Sequence, residues 1–301
     1  MTSPERARVA FIGLGNMGTP MSRRLIEAGY SVVGFDLAED ARAHLVEAGG
    51  SVAPSGAAAV DGAHVVILML PSSDVVEAVI TDPDFDAALR AGSPLIIDMS
   101  SSEPVRTKAL AESLAQHGLT LIDAPVSGGV TGATAGSLTI MVGGADRDVA
   151  SAEPLLSVLG RTLHAGTVGS GHAAKALNNL LSATHLWVTS EAVLAGERFG
   201  IEPSVLLSIF NGSSGRSGST ENKWPNFILG ETYNSGFGLR LMLKDMKIAV
   251  NLAEQIGIPS QLGADAVELW SRVADQYPAD ADHTEVARWL REQTGRNAVA
   301  E

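Results

Sequence analysis

Three clusters in this chain combine residue types and spacings that could do chemistry. Gly13-Leu14-Gly15-Asn16-Met17-Gly18 fits G-x-G-x-x-G. Its first glycine permits a tight turn, the second lets the backbone approach a pyrophosphate, and the third brings strand and helix close, so that the helix N-terminus faces negative charge. Asp36 follows 18 residues after Gly18. A carboxylate there accepts hydrogen bonds from both ribose hydroxyls of an adenosine and repels a 2'-phosphate. Leu37 and Ala38 bring no basic group, and Glu39 and Asp40 add negative charge, so the pattern favours NAD over NADP. A solvent-facing aspartate that caps a helix is the alternative for Asp36.

In Asp123-Ala-Pro-Val-Ser127-Gly128-Gly129, two glycines beside a serine expose backbone N–H groups next to a hydroxyl. That is a receptor for a carboxylate, although a plain turn uses the same residues. In Gly169-Ser-Gly171-His-Ala-Ala-Lys175-Ala-Leu-Asn178-Asn179, Lys175 and Asn179 are four residues apart and project from one helical face near its start. A lysine in an apolar early helix beside two asparagines makes an awkward surface; a snorkelling surface lysine is the bland alternative.

These clusters need elements to hold them. Apolar, β-branched runs predict strands over Val9 to Gly13, Ser31 to Asp36, His64 to Leu70, Pro94 to Ser100, Thr120 to Val126 and Ser137 to Gly144. Helical patterns lie between them at Met17 to Gly29, Asp40 to Ala48, Pro104 to Gln116 and Asp146 to Leu159. Runs such as HVVILML are apolar on both faces, as in a parallel sheet covered by helices on both sides. The expected fold class is therefore α/β: an N-terminal doubly wound Rossmann domain, then an all-α C-terminal domain, joined by a long helix. Strand signals cease after Thr167, in a passage containing Gly166, Gly169 and Gly171, and helical patterns follow over 172–199 and near 203–210, 239–256, 260–276 and 283–293. The expected domains are residues 1–167 and 168–301. In the first, the turn containing Leu70 and Pro71 ends the third strand beside the adenine ribose and pyrophosphate, and Ser100 and Ser101 end the fourth nearer the nicotinamide side. Each serine is also a candidate cap, and for Ser102 capping is the expected role.

Lys and Arg number 21 against 34 Asp and Glu, for a net charge of -13, so the far field repels nucleic acid and anionic membranes. A local positive pocket is still compatible with a small anion. The chain has no cysteine, which excludes thiolate metal sites and a cysteine nucleophile and fits a reducing cytoplasm. Seven histidines show no paired metal spacing, so no metal is expected. The charged N-terminus, with Glu5, Arg6 and Arg8, has no secretory pattern, and no 18-residue apolar run follows. The chain is expected to be cytoplasmic.

GLGNMGTPM at 13–21, DAPVSGG at 123–129, GSGHAAKALNN at 169–179 and LKDMKIA at 243–249 together resemble the beta-hydroxyacid dehydrogenase family, which includes 3-hydroxyisobutyrate dehydrogenases and tartronate semialdehyde reductases. The resemblance covers nearly the whole chain and implies a homodimer or homotetramer formed through the helical domain. It makes Lys175 the general acid/base, Asn179 its partner in holding the substrate, and Ser127, Gly128 and Gly129 the carboxylate receptor. It also places Lys244 beside the cofactor. The chain departs from the family at Ser101, usually threonine; at His172, often glutamine; and at Met246 and Lys247, where Leu-Gly is common.

The implied chemistry is hydride transfer between a small 3-hydroxy acid and NAD, for which the alcohol must lose its hydroxyl proton. A lysine removes that proton in its neutral form, which burial and a cationic nicotinamide ring both favour. Substrates sharing the carboxylate include 3-hydroxyisobutyrate, L-serine, glycerate paired with tartronate semialdehyde, and 4-hydroxybutyrate. A semialdehyde reductase, an imine reductase and a non-catalytic dinucleotide-binding protein are the alternatives.

Overall fold

A computed structural model describes residues 7–297 of the chain. Glu5 and Arg6 of the charged N-terminus lie outside the described residues. The chain forms two compact units that part between Lys175 and Ala176, inside the long helix Ser170–Phe199.

Among the described residues, the first unit is built on nine strands: β1 (Arg8–Ile12), β2 (Ser31–Phe35), β3 (Ser51–Val52), β4 (Val65–Leu68), β5 (Leu95–Asp98), β6 (Thr120–Asp123), β7 (Val126–Ser127), β8 (Leu138–Gly143) and β9 (Gly160–Gly166). They pair in the order β3-β2-β1-β4-β5-β6-β8-β7, with β9 on β8. Pairing is parallel from β3 through β6, antiparallel where β8 meets β6 and β7, and parallel between β8 and β9. Strand order reverses direction at β1 and β4, and in open parallel sheets ligands bind outside the carboxyl ends of the strands at such a reversal. Gly13 follows β1, and Leu70 follows β4.

Alternation along each strand divides the core into two layers. Val9, Phe11, Ile67 and Ile97 face one layer with Met21, Leu25 and Leu156. Ala10, Ile12, Val66, Leu68 and Ile96 face the other with Phe85 and Leu89. Both faces of the central strands are therefore covered, which is why they read as unbroken apolar runs.

Several elements lacked the length or pattern to be expected: β3, β9, and the helices Ser73–Ile80, Pro83–Gly92 and Gly129–Ala135. The strand expected over Thr120 to Val126 is interrupted. β6 ends at Asp123, and Pro125, which has no N–H to give a ladder, separates it from β7, where Ser127 lies opposite Thr139 of β8. Ser127 is thus on an antiparallel strand and not at the end of a parallel one.

The second unit is helical. After residues 176–199 of the long helix come Pro203–Asn211, a wide π-helical segment Ser219–Ile228 that accommodates Pro225, then Leu239–Gln255, Gln261–Ala274 and Glu285–Asn297. Its core packs Trp224 and Trp270 with Leu186, Leu207, Met246 and Val286. Among the described residues, no helix is long and apolar enough to cross a membrane.

One polar knot secures this unit. The Asp282 carboxylate accepts from the Ser235 hydroxyl, the backbone N–H groups of Gly236, Phe237 and Thr284, and the Thr284 hydroxyl. Beside it, His283 is buried, and its Nδ1 donates to the Phe237 carbonyl at 3.0 Å. Burial first, then the nearby Lys223 cation, push His283 down to about 4. Between that value and the ordinary histidine range near 6.5, the unfolded chain binds a proton that the folded chain does not. Stability should therefore fall as pH falls from about 6.5 towards 4, by on the order of 3 kcal/mol. Urea midpoints of the wild type and His283→Gln at pH 7 and pH 5 measure this. An equal pH slope in the two proteins would remove His283 as its source.

Candidate active site

The glycines after β1 have separate jobs. Gly13 has φ +96°, and a Cβ there would overlap the Met69 carbonyl that follows β4. A Cβ on Gly18 would overlap the Gly13 carbonyl and press on the Phe11 ring, so this glycine lets the helix Gly18–Glu27 pack close against β1. Gly15 is exposed, and a Cβ on it would meet nothing within 4 Å. The backbone beside Gly15 and Asn16 is therefore open to a ligand, and the first turn of the helix carries no acidic residue to oppose an anion. Leu14 offers only backbone, because its side chain is wholly buried; Met17 is half-buried at the helix start.

Asp36, one residue beyond β2, accepts from the Leu14 N–H at 2.6 Å and the Ala38 N–H at 2.8 Å. The helix Glu39–Glu47 begins after Ala38 without a side-chain cap, so Asp36 is not its cap and instead braces the glycine turn. Leu37 is 88% exposed, and Glu39 and Asp40 are exposed as well. The sequence reading missed Arg42, one helical turn further on. Its Nη1 donates to the carbonyls of Asp36 at 2.7 Å and Leu37 at 2.9 Å, setting a guanidinium beneath the segment judged to have no basic group. The signal was its spacing from Asp36, readable only once a helix returns the chain.

The turns after β4 and β5 are joined, since the Leu70 N–H donates to the buried Ser100 hydroxyl at 2.9 Å and the Ser100 N–H donates to Asp98 at 2.9 Å. Pro71 follows Leu70 on the surface, and Ser101 is half-buried. Ser102 does not cap the helix Pro104–Ala115, as was expected. Its hydroxyl donates to Asp98 Oδ2, and Glu103 occupies the cap position.

Ser127 is half-buried at the end of β7; Gly128, with φ +131°, and Gly129, with φ +61°, then turn the chain into the helix Gly129–Ala135. Neither conformation suits a residue with a Cβ.

Lys175 and Asn179 lie one turn apart on the helix Ser170–Phe199, and both are buried, Lys175 to 5% exposure. The surface-lysine alternative is thereby excluded. In the second unit, Asn179 Nδ2 donates to the buried Asp245 carboxylate at 2.7 Å, which fixes the amide, and Lys244 is half-buried with Nζ 3.7 Å from Asp245 Oδ1. Arg216 of the 211–217 loop pairs with Glu221 at 2.6 Å on the surface.

Residues 8–169 match the family model described as the NAD binding domain of 6-phosphogluconate dehydrogenase. Residues 169–290 match the one described as NAD-binding of NADP-dependent 3-hydroxyisobutyrate dehydrogenase. The chain is 42% identical to a 3-hydroxyisobutyrate dehydrogenase of Pseudomonas aeruginosa, over 91% of this chain and 94% of the relative. The chain belongs to the beta-hydroxyacid dehydrogenase family. It is accordingly an oxidoreductase of the CH–OH class with a nicotinamide dinucleotide cofactor. Another member of the family, an NAD-dependent L-serine dehydrogenase of the same organism, is 39% identical over 93% of this chain and 97% of its own length. Among solved structures, a Mycobacterium tuberculosis 3-hydroxyisobutyrate dehydrogenase with L-serine superposes with a TM-score of 0.88 at 33% identity, over 95% of this chain and 99% of that one.

The glycine geometry separates binding from folding. Gly15→Ala should keep the melting temperature within the range of a surface change while weakening NAD by about tenfold or more, since 1.4 kcal/mol of lost contact is a factor of ten. Gly18→Ala should instead destabilise by about 1–3 kcal/mol through overpacking. Calorimetric titration with NAD and thermal melts of both variants check the pair.

Proposed function

We propose that this beta-hydroxyacid dehydrogenase oxidises a small 3-hydroxy acid of the 3-hydroxyisobutyrate type with NAD, and that Lys175 is its general acid/base. The observation that carries the reading is the burial of Lys175, on the helical face it shares with buried Asn179. An amine so placed exchanges a proton with a substrate and not with bulk water. The Ser127 hydroxyl and the N–H groups at Gly128 and Gly129 would hold the substrate carboxylate, and Asn179, braced by Asp245, would orient the alcohol. Lys244 would lie toward the cofactor. Gly13, Leu14, Gly15, Asn16 and Met17 would cradle the pyrophosphate, with Leu70, Pro71 and Ser101 along the remainder of the dinucleotide. Bound NAD supplies the hydride acceptor. As the carbon loses hydride, the alcohol proton passes to the Lys175 amine, leaving a semialdehyde, and in the reverse direction the ammonium returns that proton to the developing alkoxide.

The relatives named above keep two substrates in view, because 3-hydroxyisobutyrate and L-serine share a carboxylate and a primary alcohol on neighbouring carbons. Self-association through the helical unit fits its exposed Leu181, Val188 and Leu262, and sedimentation velocity reads the subunit count.

Lys175→Ala should retain NAD affinity while kcat falls by about two to four orders of magnitude, the span for loss of a general acid/base. Steady-state assays with 3-hydroxyisobutyrate, L-serine, glycerate and 4-hydroxybutyrate measure this and rank the substrates together. Turnover retained in the variant on every acid would end the mechanism.

For cofactor choice, we take Asp36 as the determinant of NAD preference. Asp36→Ser should shift the NADP-to-NAD ratio of kcat/KM upward by about ten- to a hundredfold, the worth of one hydrogen-bonded charge. Adding Arg42→Ala should reverse part of that gain by removing the guanidinium. A ratio unmoved by Asp36→Ser would show that selection lies elsewhere.

A further inference from the structure

We infer that His172 is a positioning residue for the reaction: it fixes the turn of the chain at Leu70 and Ser100 against the helix that carries Lys175. The inference rests on the roles proposed above for Lys175, Leu70 and Ser101. His172 lies in the first turn of the helix Ser170–Phe199, three residues before Lys175, and is wholly buried. Its ring touches two other elements. Nε2 lies 3.1 Å from the Ser100 carbonyl, and Nδ1 lies 2.9 Å from the Thr107 hydroxyl of the helix Pro104–Ala115. A carbonyl only accepts, so Nε2 carries a proton and donates to it whatever the state of Nδ1.

The connection continues on both sides. Ser100 accepts the Leu70 N–H through its hydroxyl, so His172 reaches the turn after β4 through one intermediary. On the other side, the His172 backbone N–H donates to Asp123 Oδ2 at 2.8 Å, which holds the first turn of the helix on β6. Asp98 and Asp123 flank the ring at 3.8 and 3.9 Å. All of these groups belong to the first unit, so the separation between the Ser100–Ser101 turn and Lys175 is set within one compact body. Hydride transfer demands that separation, because an error of about 1 Å in the reacting geometry costs about a hundredfold in rate.

The two ring nitrogens can be tested separately. Glutamine places its amide N–H near Nε2 and keeps the bond to the Ser100 carbonyl, whereas asparagine reaches only the Nδ1 position facing Thr107. His172→Asn should lower kcat for 3-hydroxyisobutyrate, or for L-serine where that acid is faster, by about ten- to a hundredfold. It should also weaken NAD several-fold, leave KM for the acid nearly unchanged, and raise the deuterium isotope effect on kcat with acid deuterated at the alcohol carbon. His172→Gln should recover most of the lost turnover. The proposal is overturned if the folded Asn and Gln variants lose activity equally, or if both turn over within about threefold of wild type with an unchanged isotope effect. Loss of thermal stability alone, without the split between kcat and KM, also counts against it. Lys175→Ala separates the two levels: if that variant is inactive while the His172 variants are normal, the positioning role fails and the proton-transfer reading stands.

Discussion

The first unit is organised around one buried carboxyl group. Asp123 closes β6 with no solvent exposure, and its carboxylate accepts the N–H groups of Gly169 at 2.6 Å and His172 at 2.8 Å. Burial raises the carboxyl above the ordinary aspartate range; the His172 and Gly169 donors work against that rise. A buried carboxylate without donors is expensive, and these bonds are what make the position tolerable. They also set where the long helix starts, and therefore where Lys175, one turn and a half along it, can be. The glycines nearby follow from the same constraint: a Cβ at Gly143 would overlap the carboxylate, and one at Gly171 would overlap the Met141 carbonyl. The Asp of DAPVSGG and the glycines of GSGHAAKALNN, separate in sequence, form one joint in space.

That joint explains what the sequence disclosed and what it withheld. The central strands were legible because both faces are covered, which leaves uninterrupted apolar runs such as those of β1 and β4. The glycine turn was legible because each glycine answers to a different steric demand at a fixed spacing. Ser127 was assigned to the right segment but the wrong strand, since a proline between two short runs reads as a strand end only when its ladder partner is known. Arg42 and His172 were missed as contributors for a shared reason. Each acts on backbone carbonyls of a distant or returning segment, Asp36 and Leu37 in one case and Ser100 in the other, and a carbonyl leaves no mark on residue type. Lys175 was legible as anomalous before any role was attached, because an apolar helical turn gives a charged side chain no ordinary reason to be there.

The net charge of -13 and the handling of anions are compatible because they operate at different ranges. Exposed charges are screened beyond about 10 Å at moderate salt, so the far field sets solubility more than binding. Within a hydrogen bond's reach, what would count at the proposed site is the uncapped helix start after Gly15, the N–H groups at Gly128 and Gly129, and the amine of Lys175. A backbone donor carries no formal charge, so an acidic protein can hold a dinucleotide and a carboxylate with few basic side chains.

The same economy limits how far the site can define its substrate. In the proposed assignment, the carboxylate receptor, Lys175 and Asn179 would all address groups that 3-hydroxyisobutyrate and L-serine have in common; the two acids differ only in a methyl or an ammonium on the central carbon. The acid nearest Asn179 is Asp245, and its Oδ2 already accepts the Asn179 amide. Discrimination is asymmetric in such a case. An apolar wall shaped for a methyl rejects an ammonium through the cost of desolvating an unpaired charge, whereas acceptors placed for an ammonium are left unpaired by a methyl and reject it by about ten thousandfold. A site that accepts serine must therefore carry a dedicated acceptor for the ammonium, whereas one that takes only the methyl acid needs none. Which of the two patterns a substrate panel returns identifies the wall before any residue of it is known.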